Sequence, residues 1–282
     1  MNRNIETFIG CDAAYEEADT VLFGAPFDST TSYRPGTRFA SRAIRGESFG
    51  IETYSPYQDK DLTDYAVFDS GDLELPFGNS AAALEQIEAF AGQILDGGKR
   101  PLMIGGEHLV TLGAVRAAVK RFPDLHVIHF DAHTDLRQDY LGVTLSHATV
   151  IRRVWELTGD GRIFQFGIRS GDRPEFQWAE RHVYMQKFSF HGLKERVDSL
   201  LGKPVYFTLD LDVLDPSVFP GTGTPEAGGV TFPQLLDALL EIGRLNIVAC
   251  DMNELSPVYD PSGASTALAC KTLRELLLSL HR

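Results

Sequence analysis

Cysteine is scarce in this chain of 282 residues. Cys11, Cys250 and Cys270 are odd in number, far apart and without a CxxC pair. That argues against a disulfide framework and against cysteine as a metal ligand, and it makes a reducing compartment, the cytoplasm, the expected location. Positive charge is in deficit too. Lys and Arg number 26 against 39 Asp and Glu, a formal charge of −13, which disfavours a nucleic-acid partner because that usually requires a basic face. Long apolar runs are missing: nothing approaches the roughly 18 residues of a membrane span. The opening MNRNIETFIGCDAAYEEAD has no basic leader ahead of an apolar stretch, so no secretory signal is expected. Repeats, low-complexity tracts and long linkers are also lacking, so a single domain over 1–282 is expected.

What is present is the material of a large core. Hydrophobic residues make up 43% and charged residues 23%, ordinary proportions for a globular protein. Short apolar runs alternate with longer segments of helical period. The runs 20–26, 65–69, 101–106, 125–131, 163–168, 182–185, 204–212 and 246–255 predict strands. The segments 80–98, 108–122, 146–159, 193–202, 231–243 and 264–280 predict helices. The strand runs show little polar alternation, as expected of strands covered on both faces. The fold class that follows is α/β: a three-layer α-β-α sandwich around a mostly parallel sheet of about eight strands.

Ligands of such sheets bind outside the carboxyl ends of the strands, and that is where the acidic and histidine clusters of this chain fall. HFDAHTDL (129–136) places Asp131, His133 and Asp135 at alternate positions after the run LHVIHF, so in extended chain they can share one face. TLDLDVLDP (208–216) repeats the pattern with Asp210 and Asp212, while Asp215-Pro216 reads as turn chemistry. GGEHLV (105–110) turns tightly through two glycines, and His108 then opens a predicted helix. Glu107 at the same turn can serve the helix N-terminus.

Carboxylates crowded in this way raise one another's pKa unless a cation is near. Asp131, Asp135, Asp210 and Asp212 carry four negative charges, which two divalent ions would balance, and two ions sharing carboxylates form a hydrolytic unit. The donors are oxygen-rich with only two imidazoles, which suits Mn²⁺ better than Zn²⁺ and leaves Fe²⁺, Co²⁺ or Ni²⁺ open. GTGTPEAGG (221–229) is no dinucleotide fingerprint, because Glu226 stands at the third-glycine position. His126, His129, His182, His191 and His281 have no partners in sequence and read as structural.

GGEH, DAHTD, SHAT (146–149), DLDVLDP, GTGTPEAGG and DMNELSPVYD (251–260) stand in the order seen in ureohydrolases. From about residue 24 to the last helix the chain resembles that arginase/agmatinase family, and GTGTPEAGG and SPYQDKDL (55–62) resemble its agmatinase branch. The resemblance implies hydrolysis of agmatine, a small cationic guanidino compound, to putrescine and urea. Guanidinobutyrate, arginine or another guanidine is the alternative substrate, and a non-catalytic metal-binding homologue the distant alternative.

It implies two Mn²⁺ per subunit, one held by His108, Asp131, Asp135 and Asp210, the other by Asp131, His133, Asp210 and Asp212. His147 matches the family's proton-shuttling histidine and Glu254 the carboxylate that pairs with the guanidinium; in the chemistry that follows, Asp135 is the candidate to protonate the leaving amine. A homo-oligomer, trimer or hexamer, is implied as well. The chain departs from the family's pattern at Ala148, at Asn253 and in RFASRAIR (38–45). The segment LRQDYLGVTLS (136–146) lacks the polar run with which arginases read an α-amino acid. Asp139 or Tyr140 is a candidate for the substrate's distal ammonium, and Arg137, which would oppose a cation, is expected to point away.

Overall fold

A computed structural model describes residues 6–281. In chain order the elements are β1 (Thr20–Ala25), α1 (Ala40–Glu47), β2 (Tyr54–Ser55), β3 (Lys60–Asp61), β4 (Val67–Asp72), α2 (Ser80–Asp96), β5 (Arg100–Gly105), α3 (Thr111–Arg121), β6 (His126–Phe130), α4 (Val150–Thr158), β7 (Ile163–Ile168), α5 (Arg173–His182), β8 (Tyr184–Lys187), α6 (Leu193–Leu200), β9 (Pro204–Asp210), α7 (Phe232–Ile242), β10 (Asn246–Asn253) and α8 (Ala264–Leu280). Eight strands form one sheet in the order β4-β1-β5-β10-β9-β6-β7-β8, and every pairing within it is parallel. β2 and β3 make a separate small hairpin.

Each central strand is apolar along nearly its whole length because helices cover both faces. Two cores result. One lies under α1, α6, α7 and α8 and includes Ile44, Phe207, Leu239 and Leu273; the other lies under α2, α3 and α4 and includes Ile87, Val115, Val127 and Ile151. This is the three-layer sandwich expected. Among the described residues no helix is long and apolar enough to cross a membrane.

The expected elements are present with shifted ends. The run 65–69 becomes β4 at Val67–Asp72, and 182–185 becomes β8 at Tyr184–Lys187. Helices α3 and α4 begin after single 3-10 turns at His108–Val110 and His147–Thr149, so both histidines sit on tight turns ahead of a helix. Helices α1 and α5 and the hairpin lie outside the predicted elements. Helix α5 buries only Glu175 and Ala179, too few apolar positions to register as periodicity. Its start is written differently, in an Asp172/Glu175 capping box with proline in the first turn.

The sheet order sets the site. β5, β10, β9 and β6 are adjacent, and GGEH, DMNEL, DLDVLDP and DAHTD follow or end them. Four clusters distant in sequence therefore meet at one edge.

Candidate metal centre

His108 hangs from the turn after β5. Gly106 lets that turn lie flat against Phe27, whose carbonyl oxygen would sit 2.1 Å from any Cβ added there. The His108 Nδ1 faces three carboxylate oxygens: Asp131 Oδ2 at 3.1 Å, Asp210 Oδ2 at 3.2 Å and Asp135 Oδ2 at 3.3 Å. Its Nε2 meets Thr208 Oγ1 at 2.8 Å, which fixes the ring plane from behind. His133 Nδ1 lies 3.0 Å from Asp212 Oδ2 and 3.4 Å from Asp131 Oδ1. Backbone donors shape the carboxylates: His133 N–H donates to Asp131 Oδ1 at 2.6 Å, Asp212 N–H to Asp210 Oδ1 at 2.8 Å, and Ala132 N–H to Asp212 Oδ1 at 3.2 Å.

All six residues proposed as ligands thus gather at one place, buried except for the half-buried His133. Single donor atoms of His108, His129, Asp131 and Asp135 lie within 4.8 Å of one another, as do those of Asp131, His133 and Asp212. Asp131 belongs to both groups, and Asp210 joins through His108 and Asp212.

The electrostatics are those of carboxylates and imidazoles crowded together in a buried place. Burial, then Asp212 and Asp131, push the Asp210 carboxyl well above the usual range. Burial and Asp131 raise Asp135 to about 6. Asp131 alone is held low: burial works to raise it, but His129 and hydrogen bonds from His108, His129 and His133 outweigh that. Burial would lower His108 and His133, yet the surrounding carboxylates pull both well above the imidazole range. One imidazole proton cannot satisfy three carboxylates, whereas divalent cations can. The donor set is oxygen-rich and fits hard or borderline ions.

His129 corrects the sequence reading. Taken as a partnerless structural residue, it lies fully buried with Nε2 2.7 Å from Asp131 Oδ2. Gln165 Nε2 donates to its Nδ1 at 3.0 Å, which leaves the other ring nitrogen to donate to Asp131. The signal was available: His129 precedes Asp131 by two residues in a strand, the alternation that singles out His133. His126, His182 and His281 have surroundings of their own, beside Arg162, Asp160 and Tyr65 respectively.

Beside the cluster opens a cleft lined by His133, Asp135, His147, Thr224 and Glu254, with Tyr140, Arg137 and Asp172 on the wall. Glu254 Oε1 accepts from His108 N–H at 2.7 Å, and its other oxygen takes no protein hydrogen bond among the described residues. Burial, Glu107 and Asp212 raise its carboxyl well above the usual range. His147 lies between hydroxyls, Nε2 3.2 Å from Ser32 Oγ and Nδ1 3.4 Å from Ser146 Oγ. Burial and the nearby His133 lower it to about 4.

Arg137 does not point away. It lines the cleft because its charge is already met: Nη1 lies 2.7 Å from Asp172 Oδ2, Nε is 3.6 Å from Glu175 Oε2, and the guanidinium sits 4.9 Å from the Tyr140 ring centre. Of the departures from the family's pattern, Ala148 lines the cleft. Asn253 lies beneath it, donating to Asp251 Oδ1 at 2.7 Å and Thr111 Oγ1 at 3.1 Å.

Comparison with known proteins agrees with this geometry. The model of the Arginase family matches residues 18–279. An agmatinase of Bacillus subtilis strain 168 is 50% identical over 277 residues, covering 97% of this chain and 96% of its own. A guanidinobutyrase of Pseudomonas aeruginosa is 34% identical, covering 95% of this chain and 88% of its own. The crystal structure of an agmatine ureohydrolase of Thermoplasma volcanium superposes with a TM-score of 0.89 at 35% identity, covering 98% of this chain and 94% of that one.

Proposed function

The chain belongs to the arginase family, and from that premise we propose that it is an agmatinase, a hydrolase that cleaves agmatine to putrescine and urea. The observation that carries this reading is Glu254: a buried carboxylate with one oxygen committed to His108 and the other open, beside an acidic cluster suited to two cations. A guanidinium offers planar paired donors to such a carboxylate and offsets its charge.

His108, Asp131, Asp135 and Asp210 would hold one Mn²⁺, and Asp131, His133, Asp210 and Asp212 would hold the other. The oxygen-rich donor set supports manganese. The metal pair, when bound, supplies hydroxide from water at neutral pH. Glu254 holds the guanidinium so that its carbon faces the cluster. Water's oxygen adds to that carbon, and the bond to the alkyl-bearing nitrogen breaks. Asp135, which faces both cluster and cleft, delivers the proton that the departing amine needs. His147 exchanges that proton with solvent. At neutral pH burial keeps the His147 ring uncharged, so it can accept a proton before passing one on.

The chain acts as one domain over 1–282 and as a homo-oligomer, trimer or hexamer. Three buried free cysteines support a cytoplasmic setting, where the putrescine formed feeds polyamine synthesis.

Arg137 on the cleft wall favours a second reading, guanidinobutyrate, whose carboxylate a guanidinium would attract. Its pairing with Asp172 weighs against that. Urea release by the manganese-loaded protein from agmatine, arginine and guanidinobutyrate discriminates among them. Agmatine should be turned over with the highest kcat/KM; preference for guanidinobutyrate or arginine overturns the reading.

A further inference from the structure

His147 is held from outside its own loop. The segment Phe27–Ser32 crosses the cleft edge between the GGEH turn and the turn that carries His147. Its Thr30 Oγ1 accepts from His147 N–H at 3.1 Å, and Ser32 Oγ meets His147 Nε2 at 3.2 Å. The strap is fastened in turn to Glu107. Thr30 Oγ1 donates to Glu107 Oε1 at 2.6 Å, Thr30 N–H to Oε2 at 2.9 Å, and Thr31 Oγ1 to Oε2 at 3.0 Å. Glu107 N–H donates to Phe27 O at 2.8 Å. Glu107 is fully buried, and among the described residues its two oxygens make hydrogen bonds with the strap and with no other element. A buried carboxylate spent on an irregular segment costs solvation, and what that segment reaches is the cleft histidine.

We propose that Glu107, Thr30 and Ser32 form a positioning device for His147, with Glu107 anchoring the strap, Thr30 fixing the histidine backbone and Ser32 orienting its ring. The proposal rests on the reading of His147 as the proton carrier. Thr30 spends its own hydroxyl proton on Glu107, which leaves its oxygen lone pairs for the His147 N–H. The Ser32 hydroxyl can donate or accept, so it follows the ring through either tautomer. Because Glu107 and His108 are consecutive, the metal-binding turn and the proton carrier share one anchor and are held in register.

The test is a double-mutant cycle on the manganese-loaded protein with agmatine as substrate. Thr30→Val keeps the shape and removes both hydrogen bonds; it should lower kcat by about tenfold or more, since small misplacements of a reacting group cost up to ~100-fold. KM and bound manganese should stay near wild type, and Thr30→Ser should restore most of the rate. In a His147→Asn background the Thr30→Val effect should shrink to under about twofold, because a residue acting through His147 has nothing left to act on. Ser32→Ala, at an exposed position, should show the same pattern and decides the matter if Thr30→Val does not fold. Additive losses in the His147→Asn background, or unchanged kcat in the variants, overturn the proposal. Wild-type protein that releases no urea from agmatine, or a His147→Asn variant with full kcat, defeats the parent reading instead.

Discussion

Asp135 and Glu254 both adopt left-handed backbone, with φ of 53° and 68°. For residues other than glycine that conformation costs on the order of 1 kcal/mol or more. Both are residues assigned to the chemistry, so the strain sits where side-chain placement matters more than backbone comfort. Glu254 then makes a sharp prediction. Glu254→Gln keeps the shape and the hydrogen bond from His108 N–H but removes the negative charge. A charge-assisted hydrogen bond is worth about 1.5–3 kcal/mol, so kcat/KM for agmatine should fall by roughly 10- to 100-fold with manganese content unchanged. An unaltered kcat/KM would contradict its role.

At this scale the sequence displayed the ligand-type residues themselves, because alternate spacing after an apolar strand puts them on one face. It did not display the strap that Glu107 anchors, or the Asp172 carboxylate that lets Arg137 stay at the cleft. Each of those depends on contacts between segments that sequence spacing does not encode.

Among elements, α1 and α5 show what periodicity cannot see. Helix α5 is largely solvated, yet its Glu175 accepts from Leu136 N–H at 3.0 Å and from Thr134 Oγ1, clamping the loop that carries DAHTD. Helix α1 is pinned to β4 by a polar residue. Arg45, with 3% of its side chain exposed, pairs with Asp69 through Nε at 2.8 Å and Nη2 at 2.9 Å and also reaches Asp72. A helix whose anchor is an arginine reads as a surface segment in sequence. Arg45→Leu should therefore destabilise the protein by about 3–5 kcal/mol, the usual penalty for stranding one partner of a buried pair. Urea unfolding should show a lower midpoint at similar slope; a loss below about 1 kcal/mol would mean that the pair is dispensable. The central strands, by contrast, are legible to within a residue or two, since two-sided burial writes itself as an uninterrupted apolar run, whereas the edge strands β4 and β8, with polar residues in them, shift by two or three.

For the molecule as a whole, the buried acidic cluster sets a debt that metal binding discharges. Ions that bind only the folded state stabilise it by mass action, about 2.7 kcal/mol at a hundredfold excess over Kd. Adding Mn²⁺ to chelator-treated protein should raise Tm in a concentration-dependent manner, and Asp131→Asn should blunt the rise. A Tm indifferent to Mn²⁺ would count against the metal reading.

The order of the central strands also bears on how the molecule is made. β5 and β6 follow each other closely along the chain but stand three strand spacings apart, ~14 Å at the usual separation, with β10 and β9 between them. His108 and Asp131 thus emerge early in synthesis on either side of a slot that stays open until residues 204–253 arrive to fill it. Asp210, Asp212 and Glu254 come with that late pair of strands. The proposed metal cluster can be completed only after residues 204–253 have been made, so its early members wait for partners from the last strands of the sheet.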